Sequence, residues 1–131
     1  MKNILTTAGI WLLLVSIGAG AEQGGKIAVA TEGETPSARV SSQAGFSPFF
    51  LLFDKDGTLL ETIKNPVQAG GMGSGTAVVD LLADRGVKVL VAEGFGSRIA
   101  QYMAGKRMKH FEYKGTAAEA VKGAKSVLPS E

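Results

Sequence analysis

Apolar and polar stretches alternate along the chain in a way that predicts a series of strands and helices. Residues 26–30 form a short apolar run after a Gly-rich leader, which is typical of a buried first strand. Residues 49–54 and 58–63 are β-rich runs on either side of the turn sequence Lys55-Asp56-Gly57, and they predict a hairpin. Asn65-Pro66 ends its second arm.

A helical period replaces this pattern from Thr76 onward, and Gly86 is predicted to end the first helix in the left-handed conformation. Residues 87–92 predict a buried strand, and a helix follows that closes near Gly105. Residues 108–113 predict the last strand. Thr116 and Glu119 have the spacing of a capping box, so a final helix begins there.

This order of elements predicts the fold class. A strand and a hairpin followed by alternating helices and strands indicate a single α/β domain with a mixed sheet of about five strands. Helices cover the sheet because parallel strands need crossover connections. A chain of 131 residues without an internal repeat is long enough for one such domain.

The first 21 residues differ from the rest and predict a secretory signal. Lys2 precedes a short apolar stretch, and Ala19-Gly20-Ala21 supplies a small-x-small cleavage site. We expect cleavage after Ala21, a domain over residues 22–131, and a periplasmic or secreted location. An uncleaved anchor is the alternative, and the membrane would then be contacted only through this segment, which is short for a span.

Composition narrows the chemistry. The chain has no Cys, which excludes disulfide frameworks, zinc fingers, thiolate-held iron–sulfur clusters and cysteine nucleophiles. The 14 Lys and Arg residues nearly balance the 12 Asp and Glu residues, so general attraction to nucleic acid is not expected.

Two Gly-rich loops are the candidate binding site. Each precedes a predicted helix, where a backbone without Cβ atoms lets an anion approach N–H groups at the positive end of the helix dipole. If the strands before the loops are neighbours, both loops lie at one end of the sheet. The alternative is a pair of tight connections. The candidate residues are Gly70, Gly71, Met72, Gly73, Ser74 and Gly75 in the first loop, and Gly94, Gly96, Ser97 and Arg98 in the second.

A basic concentration around residues 106–114 contains the only His. His110 and Met108 share a face of the last predicted strand, and imidazole with thioether suits copper, with Met72 or Met103 as a third ligand. The alternative is a solvated rim with a surface histidine.

Asp54-Lys55-Asp56-Gly57-Thr58 matches the nucleophile motif of haloacid dehalogenase-like phosphatases. A strand follows it instead of the helix that this superfamily needs, and a turn explains Asp56-Gly57 as well. No serine triad is indicated, so the sequence predicts a protein that is not an enzyme, with an Asp54/Asp56 phosphatase as the alternative.

Several segments along the chain carry a family resemblance: residues 26–30, Val40-Ser41 followed by Gly45, Ser47-Pro48-Phe49-Phe50, Phe53-Asp54, Asn65-Pro66, residues 70–73, residues 81–92 and residues 115–121. In this order and spacing they resemble the dinitrogenase iron-molybdenum cofactor biosynthesis (NifX-like) family. The resemblance implies an RNase H-like fold and a non-catalytic carrier, related to nitrogen fixation, for an anionic metal–sulfur cluster of molybdenum, iron or copper. Its partners would be that cluster or a metal-delivery protein. Where members commonly show His-Phe-Gly-Arg, this chain has Gln43-Ala44-Gly45-Phe46, which favours an interaction module without metal as a further alternative.

Overall fold

The computed structural model describes residues 25–66 and 74–129, which form an α/β domain. Short 3-10 turns cover Ala44–Phe46 and Lys125–Val127. The predicted order of strands and helices is confirmed. The elements in chain order are β1 (Lys26–Thr31), β2 (Phe49–Phe53), β3 (Leu59–Lys64), α1 (Ser74–Asp84), β4 (Val87–Ala92), α2 (Ser97–Gly105), β5 (Lys109–Glu112) and α3 (Ala117–Ala124).

The five strands form one mixed sheet in the order β3-β2-β1-β4-β5. β2 is antiparallel to both β1 and β3, whereas β4 is parallel to both β1 and β5. β1 lies at the centre, and residues 27–30 are fully buried. A central strand covered on both faces has no polar face, which explains the uninterrupted apolar run in the sequence.

Helices cover both faces of the sheet and create two cores. On one face, Val79 and Leu82 of α1 and Met103 of α2 pack against Phe50 and Leu90. On the other face, α3 contributes small residues that let it lie close to the sheet. This second core includes Ile27, Val29, Leu51, Val91, Ala117, Ala120, Val121 and Ala124.

Two local motifs mark the ends of helices where the sequence predicts them: one ends α1 and the other begins α3. Gly86 has a φ of +86° after α1, and Thr116 and Glu119 form the predicted capping box of α3. β5 is one residue shorter at each end than the predicted strand over residues 108–113. Arg107 has a φ of +62°, and Met108, which follows it, is buried in the core.

The expected leader, residues 1–21, lies outside the described residues, as does most of the first Gly-rich loop. None of the helices in the described part of the chain has the length and apolarity that a membrane crossing requires.

Candidate functional site

The carboxyl edge of the sheet gathers the connections that lead into the helices. β1, β3, β4 and β5 run in the same direction, because β3 is two antiparallel steps from β1. Open α/β folds bind ligands at this edge. The sequence predicts that the two Gly-rich loops meet if the strands before them are neighbours. These strands are not neighbours, since β2 and β1 lie between β3 and β4. Packing of the helices brings their starts together instead.

Gly45, Gly75 and Ile99 form a close contact that we call the glycine junction. A Cβ on Gly75 would lie 2.6 Å from both Cδ1 and Cγ1 of Ile99. A Cβ on Gly45 would lie 3.3 Å from the Gly75 Cα and 3.1 Å from the Ile99 Cδ1. The junction therefore joins the start of α1, the first turn of α2 and the 3-10 turn before β2 at one place.

The segment before β2 also lies along the loop between β4 and α2. The Ala44 N–H donates to the Gly94 carbonyl at 3.2 Å, and the Glu93 N–H donates to the Ser41 carbonyl at 2.9 Å. A Cβ on Gly94 would approach the Ser42 carbonyl oxygen to 3.2 Å. A side chain at residue 94 would thus require the Ser42 carbonyl to shift by a few tenths of an ångström. Gly96 has open space around it and an ordinary φ of −72°.

Buried polar side chains hold the segment before β2 in place by hydrogen bonds. Asn65, which is only 4% exposed, donates from Nδ2 to the carbonyls of Ser47 at 2.8 Å and Gly45 at 3.3 Å. The Ser47 hydroxyl is 2.9 Å from the Thr31 carbonyl oxygen. Sequence reasoning interpreted Asn65 as the end of a strand and missed its role as the support of Gly45. The Asn65-Pro66 signal contains no information about this distant contact.

The first turn of α2 presents unpaired backbone donors. An α-helix leaves its first N–H groups without intrahelical partners. In the described part of the chain, the N–H groups of residues 96–99 have no acceptor. Gly96 is the N-cap residue and has no side chain to supply one. Neither α1 nor α2 has an acidic residue in its first turn, so both N-termini retain their positive character.

The first turn of α3 is the internal contrast. The N–H groups of Thr116 and Glu119 are paired within the capping box, at 3.1 and 3.3 Å. Those of Ala117 and Ala118 donate to carbonyls of the loop after β1, both at 2.9 Å. All four N-terminal donors of α3 are thus used within the protein, whereas α2 leaves its donors to water or a ligand.

Arg98 lies in this open first turn of α2. It is exposed, and its guanidinium has no ion-pair or hydrogen-bond partner among the described residues. Ser97 is the first residue of the helix and is also exposed. The predicted residues of the second loop therefore lie together around an open helix N-terminus.

The first loop is described only at its end. Gly70, Gly71, Met72 and Gly73 lie outside the described residues. Ser74 begins α1, and Gly75 lies in the glycine junction.

A shallow depression of about 480 Å³ lies beside the same segment. Gln43, at the position where the resemblance expects His, lines it together with Phe46, which is 50% exposed. Glu32 also lines it and accepts a 2.8 Å hydrogen bond from the Ser41 hydroxyl. The carboxylate makes this depression less favourable for an anion than the first turn of α2.

An ion-pair network holds α1 against α2. The Tyr102 hydroxyl donates to Asp80 Oδ1 at 2.8 Å, and Lys106 Nζ lies 3.1 Å from the same oxygen. The hydrogen bond from Tyr102, followed by that from Lys106, lowers the pKa of Asp80. The carboxylate in turn raises the pKa of Tyr102 and of Lys106. Tyr102 and Lys106 are four residues apart, which predicts that they share a helix face. This spacing does not indicate that both would bond to Asp80 on another helix.

The residues predicted for a copper site lie on the side of the sheet covered by α1 and α2. His110 is exposed on β5, and its ring centroid is 5.0 Å from that of Phe95. Met108 is 3% exposed and Met103 is fully buried, and both belong to the core. The described residues contain no group of three His, Cys, Asp or Glu side chains arranged to hold a metal. Copper binding at Met108 and His110 stays a prediction.

The aspartates of the phosphatase alternative form a turn. Asp54 Oδ1 accepts the N–H groups of Asp56 and Thr58, both at 2.9 Å. Asp56 lies 3.7 Å from the Lys55 ammonium. β3 follows directly, so the helix that such a phosphatase needs after its nucleophile is not formed.

Known proteins provide a separate line of comparison. A family model described as Dinitrogenase iron-molybdenum cofactor matches residues 25–127. None of the curated proteins compared with the chain matches it.

Solved structures share the fold. The apo form of the orange protein from Desulfovibrio gigas has a TM-score of 0.71 and 24% identity, over 81% of this chain and 92% of that chain. A Thermotoga protein described provisionally as NifB has a TM-score of 0.66 and 26% identity, over 79% and 88%. A protein from Methanocaldococcus jannaschii described provisionally as a dinitrogenase has a TM-score of 0.52 and 12% identity, over 81% and 93%. The α/β fold with a five-stranded mixed sheet is thus common to all of them.

Proposed function

This chain belongs to the dinitrogenase iron-molybdenum cofactor family, and we propose that it is a non-catalytic carrier of an anionic metal–sulfur cluster. The observation that carries the proposal is the open first turn of α2 beside the glycine junction. Four N–H groups without an acceptor among the described residues and the exposed, unpaired Arg98 belong to this one turn, and no acidic residue of the turn competes with a ligand. Such an arrangement favours a compact anion.

The donor set supports binding through the outer atoms of the cluster. The chain has no Cys, and the described residues hold no cluster of metal-ligating side chains. A metal–sulfur anion brings its own sulfide ligands, which accept hydrogen bonds from backbone N–H groups. The protein would therefore hold the cargo by N–H donors and charge, with molybdenum, iron or copper as its metal.

Gly45 and Gly75 have a structural part in this proposal. Their contact allows the start of α1 to lie against the first turn of α2. Two helix N-termini so placed add their dipoles at the same edge. Residues 70–73 precede α1 in the sequence, and we propose that they complete the binding surface.

We also propose that the protein is exported. The support is the leader pattern of residues 1–21, with cleavage after Ala21. Mass spectrometry and N-terminal sequencing of protein from the native host test this. A mature chain beginning at Glu22 in the periplasmic or extracellular fraction is expected, and a full-length chain in the cytoplasm would contradict it.

The carrier proposal is tested by elemental and sulfide analysis of protein purified from its native, metal-replete host. We expect stoichiometric molybdenum, iron or copper together with acid-labile sulfide. Arg98→Gln should lower the metal content, whereas Arg107→Gln, which removes the same charge at the other end of α2, should leave it unchanged. His110→Ala reports separately on the predicted copper site.

Two observations favour a second candidate, an interaction module that has kept the fold without the metal. Gln43 is a poor ligand for soft metals, and Phe46 exposes half of its surface where an anion-pairing residue is expected. A metal-free protein from metal-replete cells supports this candidate and contradicts the carrier.

A further inference from the structure

A groove of about 480 Å³ runs across the outer edge of β5, on the side of the molecule away from β3. Ala100 and Ala104 of α2 form one wall, and Val127, which follows α3, forms the other. The two helices cover opposite faces of the sheet, so the groove has the strand edge at its floor. In the described part of the chain, β5 pairs only with β4.

An open strand edge presents unpaired N–H and C=O groups to any chain that reaches it. The wall of two alanines matters because small side chains leave room for an additional strand beside α2. Backbone hydrogen bonds would supply the affinity, and the side chains on alternate faces of the added strand would meet Ala104 on one side and Val127 on the other.

The charge around the groove specifies the occupant. Arg107 and Lys109 line it, are exposed, and have no carboxylate partner among the residues described. His110 lines it as well, and Lys114 follows the strand. The nearest acidic residue of the strand is Glu112, at its far end. The rim is therefore basic along most of its length.

We propose that this groove is a docking site for an extended, acidic segment of a partner protein, which adds as a sixth strand to the outer edge of β5. The segment would alternate apolar residues, which contact the groove walls, with carboxylates opposite Arg107 and Lys109. This inference does not depend on metal binding.

A second copy of the chain fits this edge less well. A two-fold axis through Phe111 would place His110 opposite Glu112 of the other copy. The basic residues 107, 109 and 114 of both copies would nevertheless lie along the same short interface, where an excess of positive charge opposes association. An acidic partner avoids this repulsion.

The test measures fluorescence anisotropy of labelled short peptides with the purified full chain. The probe is a peptide of alternating Val and Glu. One control peptide has the same sequence with alternate amides N-methylated, which keeps the charge and removes strand hydrogen bonds. The other replaces Glu by Lys.

Matched protein variants localise the binding. Ala104→Glu narrows the groove and adds a negative charge to its wall, whereas Ala118→Glu makes the same change at an exposed alanine of α3, outside the groove. Lys109→Glu and Lys122→Glu form a second matched pair. Circular dichroism and thermal melting confirm that each variant is folded.

We expect the Val/Glu peptide to bind and both control peptides to bind about tenfold more weakly or not at all. Ala104→Glu and Lys109→Glu should weaken binding by a similar factor, with their matched controls unchanged. Amide chemical shifts of residues 109–112 should change on titration.

Four results would overturn the proposal. They are no binding of the Val/Glu peptide up to about 1 mM, equal binding of the N-methylated peptide, equal effects of Ala104→Glu and Ala118→Glu, and a dimer in sedimentation that Ala104→Glu abolishes. Binding of anionic vesicles without peptide binding would indicate a membrane surface instead. Metal content enters none of these readouts, so failure here is distinct from failure of the carrier proposal.

Discussion

Replacing Gly75 by Ala tests the glycine junction directly. The new methyl group would lie 2.6 Å from both Cγ1 and Cδ1 of Ile99. The Cδ1 atom is the free end of the side chain and can move, but Cγ1 moves only by rotation about χ1. A β-branched residue in a helix has one strongly preferred χ1 rotamer. Relief therefore requires α1 and α2 to separate or Ile99 to leave its rotamer.

The expected cost follows from this geometry. Overpacking of a well-filled site destabilises a protein by about 1–3 kcal/mol. The higher helix propensity of Ala offsets part of this cost, by up to about 1 kcal/mol. A net loss of about 1–2 kcal/mol lowers the urea midpoint by about 0.5–1 M if m is about 2 kcal/mol/M. Gly96→Ala is the control, since a Cβ there meets nothing within 4 Å and the backbone φ is ordinary.

A double-mutant cycle separates the clash from other effects. Ile99→Ala removes both atoms that the new methyl group would meet, so Gly75→Ala should cost almost nothing in that background. The coupling between the two positions should be about 1–2 kcal/mol by urea denaturation. Additive costs, within about 0.5 kcal/mol, would refute the argument that the junction sets the distance between α1 and α2.

Other predictions follow from single features. Gly105→Ala should stabilise the chain by about 0.5 kcal/mol in thermal melts, because a Cβ there meets nothing within 4 Å and Ala favours the helix; a loss of stability would contradict this. Thr116→Ala should cost about 1 kcal/mol by removing the capping oxygen, and Thr116→Ser should restore most of it. The lowered pKa of Asp80 means that its contribution to stability is complete above the ordinary value of 3.8 and is lost as the pH falls below it. The midpoint difference between the native protein and Asp80→Asn in urea should therefore be present at neutral pH and shrink in acid, and a constant difference would argue against the network. In a Tyr102→Phe background, the midpoint difference that Asp80→Asn causes should be smaller, because one of the two groups that bond to the carboxylate is gone.

Local sequence patterns predict much of the fold. The predicted strand over residues 87–92 and the helix that closes at Gly105 agree with β4 and α2 as observed. Periodicity, glycine caps and the capping box each depend on residues that are close in the chain, so the sequence alone predicts the elements that they define. The hairpin was predictable for the same reason, and Asp54 completes its turn by accepting two backbone N–H groups.

The candidate site depends on contacts between residues that are distant in the chain. Gly45 packs against Gly75 and Ile99, and Asn65 supports Gly45 from beneath. None of these pairs has a sequence spacing that indicates contact. The sequence assigned anion binding to the Gly-rich loops, but it contained no sign that the start of α2 would be left open while that of α3 was closed by its own capping box and the preceding loop.

The central position of β1 has a consequence for how the chain folds. Among the described strands β1 comes first in the chain, yet both of its partners come later, and Ile27 pairs with Phe53 on one side and with Val89 on the other. The sheet cannot close around its middle strand until most of the domain has been made. Closing such a long loop before its contacts form slows folding. We therefore expect a nascent chain of this topology to stay unfolded for longer than a helical bundle of the same size, which is compatible with the export proposed above.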